Sequence, residues 1–335
     1  FILINLLISI SWPIFSKFKA TKHNYIKEQI DNLKLSEKDL NILFKESWLN
    51  ENGFRYVPFI GHTETKRVGK FLNFDEVNGR KVNRPDSCNF NIYLYGGSTQ
   101  FGYNVPDDYT IAEFLQKKLG NEYCVYNHGR GYFYSKQENS LFVMHIENEK
   151  KIDSAIFLDG VNERCGGYEY ANFINNSFSL LTEKPYKVWM NTSIMFIYSL
   201  PIINLYNSLF NKFNWVHDTN NNILNIDSCS NQIPLESLFE TRVNIRHAIC
   251  LKENIKCHTL LQPFAGAHGV QIEELLTLEK KKMQIKKYEK LKKVSKNVLD
   301  ISDVFDDDTK LSYIDGLHYT PNSNMKIANR IALLF

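Results

Sequence analysis

The chain reads as an α/β protein built on a parallel sheet with helices over both faces. Three observations predict this. From Phe90 onward, short apolar runs of strand length alternate with segments whose apolar residues recur at helical spacing. The runs end in Gly, Asn, Asp or Pro, the residues that let a strand turn. The polar residues that can carry chemistry follow directly on several of those strand ends, where functional groups gather in open α/β sheets.

In chain order, residues 1–15 are uncharged and strongly apolar, and Lys17, Lys19, Lys22 and Lys27 follow. The run falls short of the ~20 residues that span a bilayer. Residues 1–20 are therefore expected to be the rear of a membrane anchor or uncleaved signal, or else an apolar helix packed on the folded domain. The lysines favour a cytoplasmic flank, whereas the chemistry of the motifs suits an exported domain. Residues 21–89 form a lead-in. In it Ile26, Ile30, Leu33, Leu35, Leu40, Leu43 and Phe44 predict one or two amphipathic helices, and 50–90 reads as irregular or β-containing.

Residues 90–335 carry the regular pattern. Strands are predicted at 92–95, 123–126, 155–158, 258–261 and 298–301, and helices at 110–119, 136–150, 238–253 and 322–334. The apolar faces are Ile111, Phe114, Leu115 and Leu119 in the first helix, and Leu141, Phe142, His145 and Ile146 in the second. In the third, Phe239, Val243, Arg246 and Ile249 share a face. The segment 164–235 is too long for an ordinary connection and reads as a helical insertion. Its aromatic residues suit a lid, a dimer face, a membrane-touching surface or a small subdomain. The lysine-rich stretch 280–293 reads as a solvated helix face.

Composition narrows the classes. The 335 residues are 43% hydrophobic, enough for a large core, and a net charge of +3 gives no reason to expect a nucleic-acid partner. The 6 cysteines show no CxxC pair, which argues against a zinc ribbon; Cys124 and Cys257 are expected to be buried free thiols. Cys257-His258, His268 and His217 lack metal-ligand spacing, and no cofactor or metal is expected.

Three clusters stand out: Ile92-Tyr-Leu-Tyr-Gly-Gly-Ser98-Thr, Asp159-Gly-Val-Asn162-Glu and Asp315-Gly-Leu-His318-Tyr. Ser98 offers a hydroxyl nucleophile after a glycine turn that is not the G-x-S-x-G elbow, because Gln100 stands two residues on. His318 offers a base that Asp315, three residues earlier, can orient. Asn162 offers an amide donor for an oxyanion, with the N–H groups of Ser98 and Gly131 beside it. His128 competes as the base. Taken singly, each could be an ordinary turn or capping residue; the joint pattern points to acyl transfer.

In order and spacing these residues resemble the SGNH (GDSL) hydrolase superfamily over about residues 90–335. Gly96-Gly97-Ser98-Thr99 is similar to its serine block, with Gly97 where the family usually has Asp. Asn127-His-Gly-Arg-Gly131 is similar to the glycine block, where either Gly129 or Gly131 could serve. Asp159-Gly-Val-Asn162 resembles its G-x-N-D block with Glu163 in place of Asp, and Asp315-Gly-Leu-His318 resembles D-x-x-H. The resemblance implies a three-layer α/β/α fold with a flavodoxin-like parallel sheet and metal-independent acyl chemistry through a serine ester.

The expected function is a serine esterase or acyltransferase acting on O-acyl, chiefly acetyl, groups of a cell-envelope glycan, at a membrane-anchored location. A lipase or thioesterase, or a silent binding protein on the same fold, are the alternatives.

Overall fold

In the computed structural model, which describes residues 35–48, 54–164, 233–271, 276–294 and 296–335, the apolar periodicity turns into layers. All of these but Ile233 belong to one compact unit, Tyr25–Arg164 with Pro234–Phe335. The elements are α1 (Glu37–Trp48), β1 (Phe54–Val57), β2 (Gly61–Glu64), β3 (Arg67–Val68), β4 (Asn73–Asp75), β5 (Gly79–Arg80) and β6 (Phe90–Gly96). Then come α2 (Ser98–Phe101), α3 (Ile111–Leu119), β7 (Tyr123–Asn127), α4 (Ser135–Glu147) and β8 (Ser154–Asp159). The chain closes with α5 (Leu235–Lys252), β9 (Lys256–Leu261), α6 (Leu278–Leu291), β10 (Val298–Asp300) and α7 (Pro321–Ala332).

The 8-stranded sheet has the order β10-β9-β8-β6-β7-β5-β4-β3. Pairing is parallel from β10 through to β5 and antiparallel from β5 to β3. Read from the other end, β7-β6-β8-β9-β10 is the flavodoxin order, and the chain reverses direction of winding at β6. The turn after β6, which carries Ser98, therefore lies at the switch point of the sheet.

Period-two geometry sorts the core. Ile92 and Leu94 of β6, with Ile156 and Leu158 of β8, pack against Ile111 and Leu115 of α3 and Ile327 and Ile331 of α7. Tyr93, Tyr95, Ala155 and Phe157 point to the other face, against Leu141 and Phe142 of α4 and Cys250 of α5. Because both faces are covered, the strands read as continuous apolar runs rather than alternating ones. Helix starts follow local chemistry: Thr110 Oγ1 accepts from Glu113 N–H at 3.2 Å, and Thr320 Oγ1 from Ser323 N–H at 3.3 Å, with Pro321 in the first turn.

The lead-in, read as irregular or β-containing, supplies β3, β4 and β5 as the edge of the main sheet; strands of 2 or 3 residues are too short to show a period. Two expectations are corrected. Cys124 and Cys257 are not free thiols: Cys88 is bonded to Cys124 and Cys250 to Cys257, their Cα atoms 5.7 and 6.0 Å apart. Nor is α6 solvated throughout, because Lys287 is only 6% exposed and donates to Val161 O at 2.9 Å. The segment 1–20 and most of the insertion, 165–232, lie outside the described residues. No helix among the described residues is long and apolar enough to cross a membrane.

Candidate active site

Strand β6 delivers the chain to Gly97, the N-cap of α2, and Ser98 is the first helical residue. At that position its N–H has no intrahelical acceptor. The far end of this short helix is held by Arg80, fully shielded from solvent. Its Nη1 donates to Phe101 O at 2.9 Å and also to Gly102 O, its Nη2 to Val105 O at 2.5 Å, and its Nε to Asp107 at 2.9 Å. A buried guanidinium thus satisfies the carbonyls that the helix end leaves open and fixes the turn that presents Ser98.

Asp315 and His318 arrive on a turn just before α7, closed by Ile314 N–H donating to His318 O at 2.7 Å. His318 Nε2 lies 2.9 Å from Ser98 Oγ, and His318 Nδ1 lies 2.8 Å from Asp315 Oδ2. Asp315 Oδ1 accepts from the N–H groups of Leu317 at 2.8 Å and His318 at 2.7 Å. Burial alone would raise the Asp315 pKa; His318 and these N–H donors outweigh it and hold the carboxyl below its usual range. An ionised Asp315 facing Nδ1 selects the tautomer with its proton on Nδ1, which leaves Nε2 free to accept from the Ser98 hydroxyl. The imidazole is gripped on two sides: Tyr103 stacks on it at 5.6 Å and Trp48 meets it edge-on at 5.4 Å.

Asn162 follows β8 in the turn closed by Glu163 N–H donating to Gly160 O at 3.0 Å. One hydrogen of its Nδ2 goes to Phe133 O at 2.9 Å, beside Gly97; the second remains for another acceptor. Beneath this turn lies a buried polar cluster. Arg246 Nη1 donates to Asp159 Oδ2 at 2.6 Å, and Arg242 Nη1 to Glu163 Oε2 at 3.1 Å. Glu163 also accepts from Ser135 N–H at 2.7 Å and from its hydroxyl at 2.8 Å. Burial, and then the negative charge of Asp159, hold Glu138 well above the usual carboxyl range. The acid at 163 therefore ties the Asn162 turn to the start of α4.

The glycine position is corrected. Gly131 N–H donates to Glu64 Oε1 at 2.6 Å and is already committed. The preceding N–H groups are committed too: His128 to Leu94 O at 2.8 Å, Gly129 to Asn127 Oδ1 at 3.1 Å and Arg130 to Gly96 O at 3.0 Å. This loop is a wall held by its own N–H groups; Ser98 N–H at the start of α2 and the second hydrogen of Asn162 Nδ2, beside Gly97, are candidate donors that remain. His128 does not act as the base. It is fully buried, stacked on Tyr93 at 5.1 Å, and neither ring nitrogen has a partner among the described residues. Burial, with the neighbouring His145, pushes it well below the ordinary imidazole range, so it stays neutral.

Sequence reasoning singled out Ser98, His318 and Asp315, which hydrogen bonds join in the structure, and Asn162, which lies against Gly97. It missed Arg80, Glu64, Tyr103 and Trp48, whose only local signal is a polar or aromatic residue in an irregular lead-in or turn.

No protein-family model matches the chain, and no curated protein matches it. Similar solved structures include esterases. The acetyl xylan esterase AlAXEase is 12% identical, with 73% of this chain and 99% of that one covered and a TM-score of 0.41. The M. smegmatis aryl esterase is 11% identical, with 73% and 97% covered and a TM-score of 0.39. A member of the lipolytic protein G-D-S-L family from Veillonella parvula DSM 2008 is 10% identical, with 73% and 98% covered and a TM-score of 0.39. The chemical reading rests on the site's own atoms.

Proposed function

We propose that this protein is a serine-dependent esterase or acyltransferase of the SGNH type, acting on O-acetyl groups of a cell-envelope glycan. The observation that carries the reading is the continuous path from Ser98 Oγ to His318 Nε2 at 2.9 Å and from His318 Nδ1 to Asp315 Oδ2 at 2.8 Å. In the first step Ser98 Oγ attacks the acyl carbonyl carbon while His318 Nε2 takes the hydroxyl proton. The tetrahedral oxyanion is met by Ser98 N–H and Asn162 Nδ2. Its collapse expels the sugar alkoxide, which His318 protonates, and leaves acyl-Ser98. Water, or an acceptor hydroxyl, then attacks the acyl carbon with His318 again as base, and Ser98 is released.

A glycan substrate is supported by aromatic residues in the vicinity. Trp48 is 37% exposed, Phe54 43% and Tyr132 55%. Trp48 touches Tyr103, and Phe54 touches Tyr132, so exposed ring surface is available for stacking on a sugar. The membrane-anchored, envelope location expected from the N-terminal segment belongs to the same proposal.

The test is hydrolysis of acetyl, butyryl and octanoyl nitrophenyl esters by wild type and Ser98→Ala. Turnover that favours acetyl and falls at least about a thousandfold in Ser98→Ala is the expected result. A long-chain optimum would move the substrate to lipid. No turnover, together with no fluorophosphonate labelling of Ser98, would sink the enzymatic reading.

A further inference from the structure

The Asp315 carboxylate has a fourth donor that comes from outside the motifs. Asn104 Nδ2 lies 3.0 Å from Asp315 Oδ2, the same oxygen that faces His318 Nδ1. Asn104 Oδ1 in turn lies 2.5 Å from Trp48 Nε1, at the last residue of α1. Chemistry decides the orientation of this amide. Indole N–H can only donate and an ionised carboxylate can only accept, so Oδ1 must face Trp48 and Nδ2 must face Asp315. The reverse would set a carbonyl oxygen against the carboxylate and a donor against a donor.

The backbone supports the same arrangement. Asn104 is only 4% exposed and has φ +64°, a left-handed conformation that Asn adopts more readily than most residues. Its N–H donates to Ser47 Oγ at 3.2 Å, which ties it a second time to α1. Strain at a buried position beside the site persists only where its surroundings over-determine it.

We infer that Trp48 and Asn104 are positioning residues, a relay through which the lead-in helix α1 sets the Asp315 carboxylate against His318. The inference rests on the proposed role of Ser98, His318 and Asp315. With two backbone N–H donors on Oδ1 and the imidazole and amide N–H groups on Oδ2, the carboxylate cannot rotate away from Nδ1. The amide also shares the negative charge that would otherwise fall on His318 alone. Removing it concentrates that charge and favours the imidazolium.

The test uses Asn104→Gly, which keeps the left-handed backbone without cost, Trp48→Phe, which keeps a ring against His318 but loses the N–H, and the double variant. Asn104→Gly is expected to lower kcat about tenfold with KM within about twofold, the loss of one charge-assisted hydrogen bond. The acidic limb of its kcat/KM profile should move to higher pH. Trp48→Phe should lower kcat about threefold, and the double variant should match Asn104→Gly alone, because Trp48 acts through Asn104. A merely structural role would lower the melting temperature without moving the limb. Additive losses, or an unmoved limb in Asn104→Gly, would overturn the relay. Should wild type show no Ser98-dependent turnover, the proposed function fails instead. The relay is then read from the low-field His318 Nδ1–H proton resonance: a shift in Asn104→Gly and Trp48→Phe upholds it, and an unchanged resonance refutes it.

Discussion

Asn162 occupies the space that a side chain on Gly97 would need: a Cβ built on Gly97 would lie 2.3 Å from Asn162 Nδ2 and 3.1 Å from Phe133 O. The missing side chain before Ser98 is thus what lets the amide donor lie against the nucleophile's turn. Gly97→Ala is expected to displace the amide and lower kcat/KM about 10- to 100-fold, with the melting temperature changed by only a few degrees. Steady-state kinetics on an acetyl ester check this, and full activity would remove Asn162 from the oxyanion site.

Arg246 and Asp159 form an ion pair with neither side chain exposed, and Arg246 also reaches Asn139 Oδ1 at 2.7 Å. Arg246→Ala leaves Asp159 beside Glu138 with no cation. A loss of about 3–5 kcal/mol in urea unfolding is expected, and Arg246→Met should lose less because it refills the space without charge.

Burial pulls Lys287 down to about 8 from 10.5, and the Glu163 carboxylate offsets only part of this. Since the folded value is the lower one, the unfolded chain binds more protons between pH 8 and 10.5, and stability rises across that window. The gap corresponds to about 3 kcal/mol. The difference in unfolding free energy between wild type and Lys287→Met should therefore move in favour of wild type from pH 8 to 10. A flat difference would show that Lys287 is solvated in the fold.

The disulfides close loops of different length, with separations of 36 for Cys88–Cys124 and 7 for Cys250–Cys257. Chain entropy then predicts a loss of about 4 kcal/mol for Cys88→Ser and about 2.5 kcal/mol for Cys250→Ser. Denaturant titration of both variants under non-reducing conditions measures the ordering, and equal losses would contradict the loop-entropy account.

Much of the fold was legible before any coordinates. The strand expected at 155–158 is β8, Ser154–Asp159, and the helix expected at 238–253 is α5, Leu235–Lys252. Both follow from contrasts between neighbouring residues: apolar runs mark strands buried on two faces, and spacing of 3 or 4 marks a helix. Arg246 shows where that logic stops. Its position on the apolar face of α5 was evident, but its partner Asp159 lies 87 residues earlier and is met only through the sheet.

The cysteines and the glycine loop make the same point. Cys124 and Cys257 sit in strands and look like small apolar residues until parallel pairing and the turn after α5 bring Cys88 and Cys250 to them. Gly131 has the right residue type for an oxyanion donor. Only the approach of Glu64 from β2 shows that its N–H is already used.

What this sequence determined by itself is the succession of strands and helices, the turns at their ends, and the residue types that gather at the carboxyl edge of the sheet. Those follow from preferences acting over a few residues of chain. What the tertiary structure alone decided is which side chains meet: Arg80 on the carbonyls after Ser98, Asn104 on Asp315, and Asn162 in the space left by Gly97. Such meetings depend on distances through space between parts of the chain far apart in sequence, and the hydrogen-bonding capacity of a residue does not reveal which partner will use it.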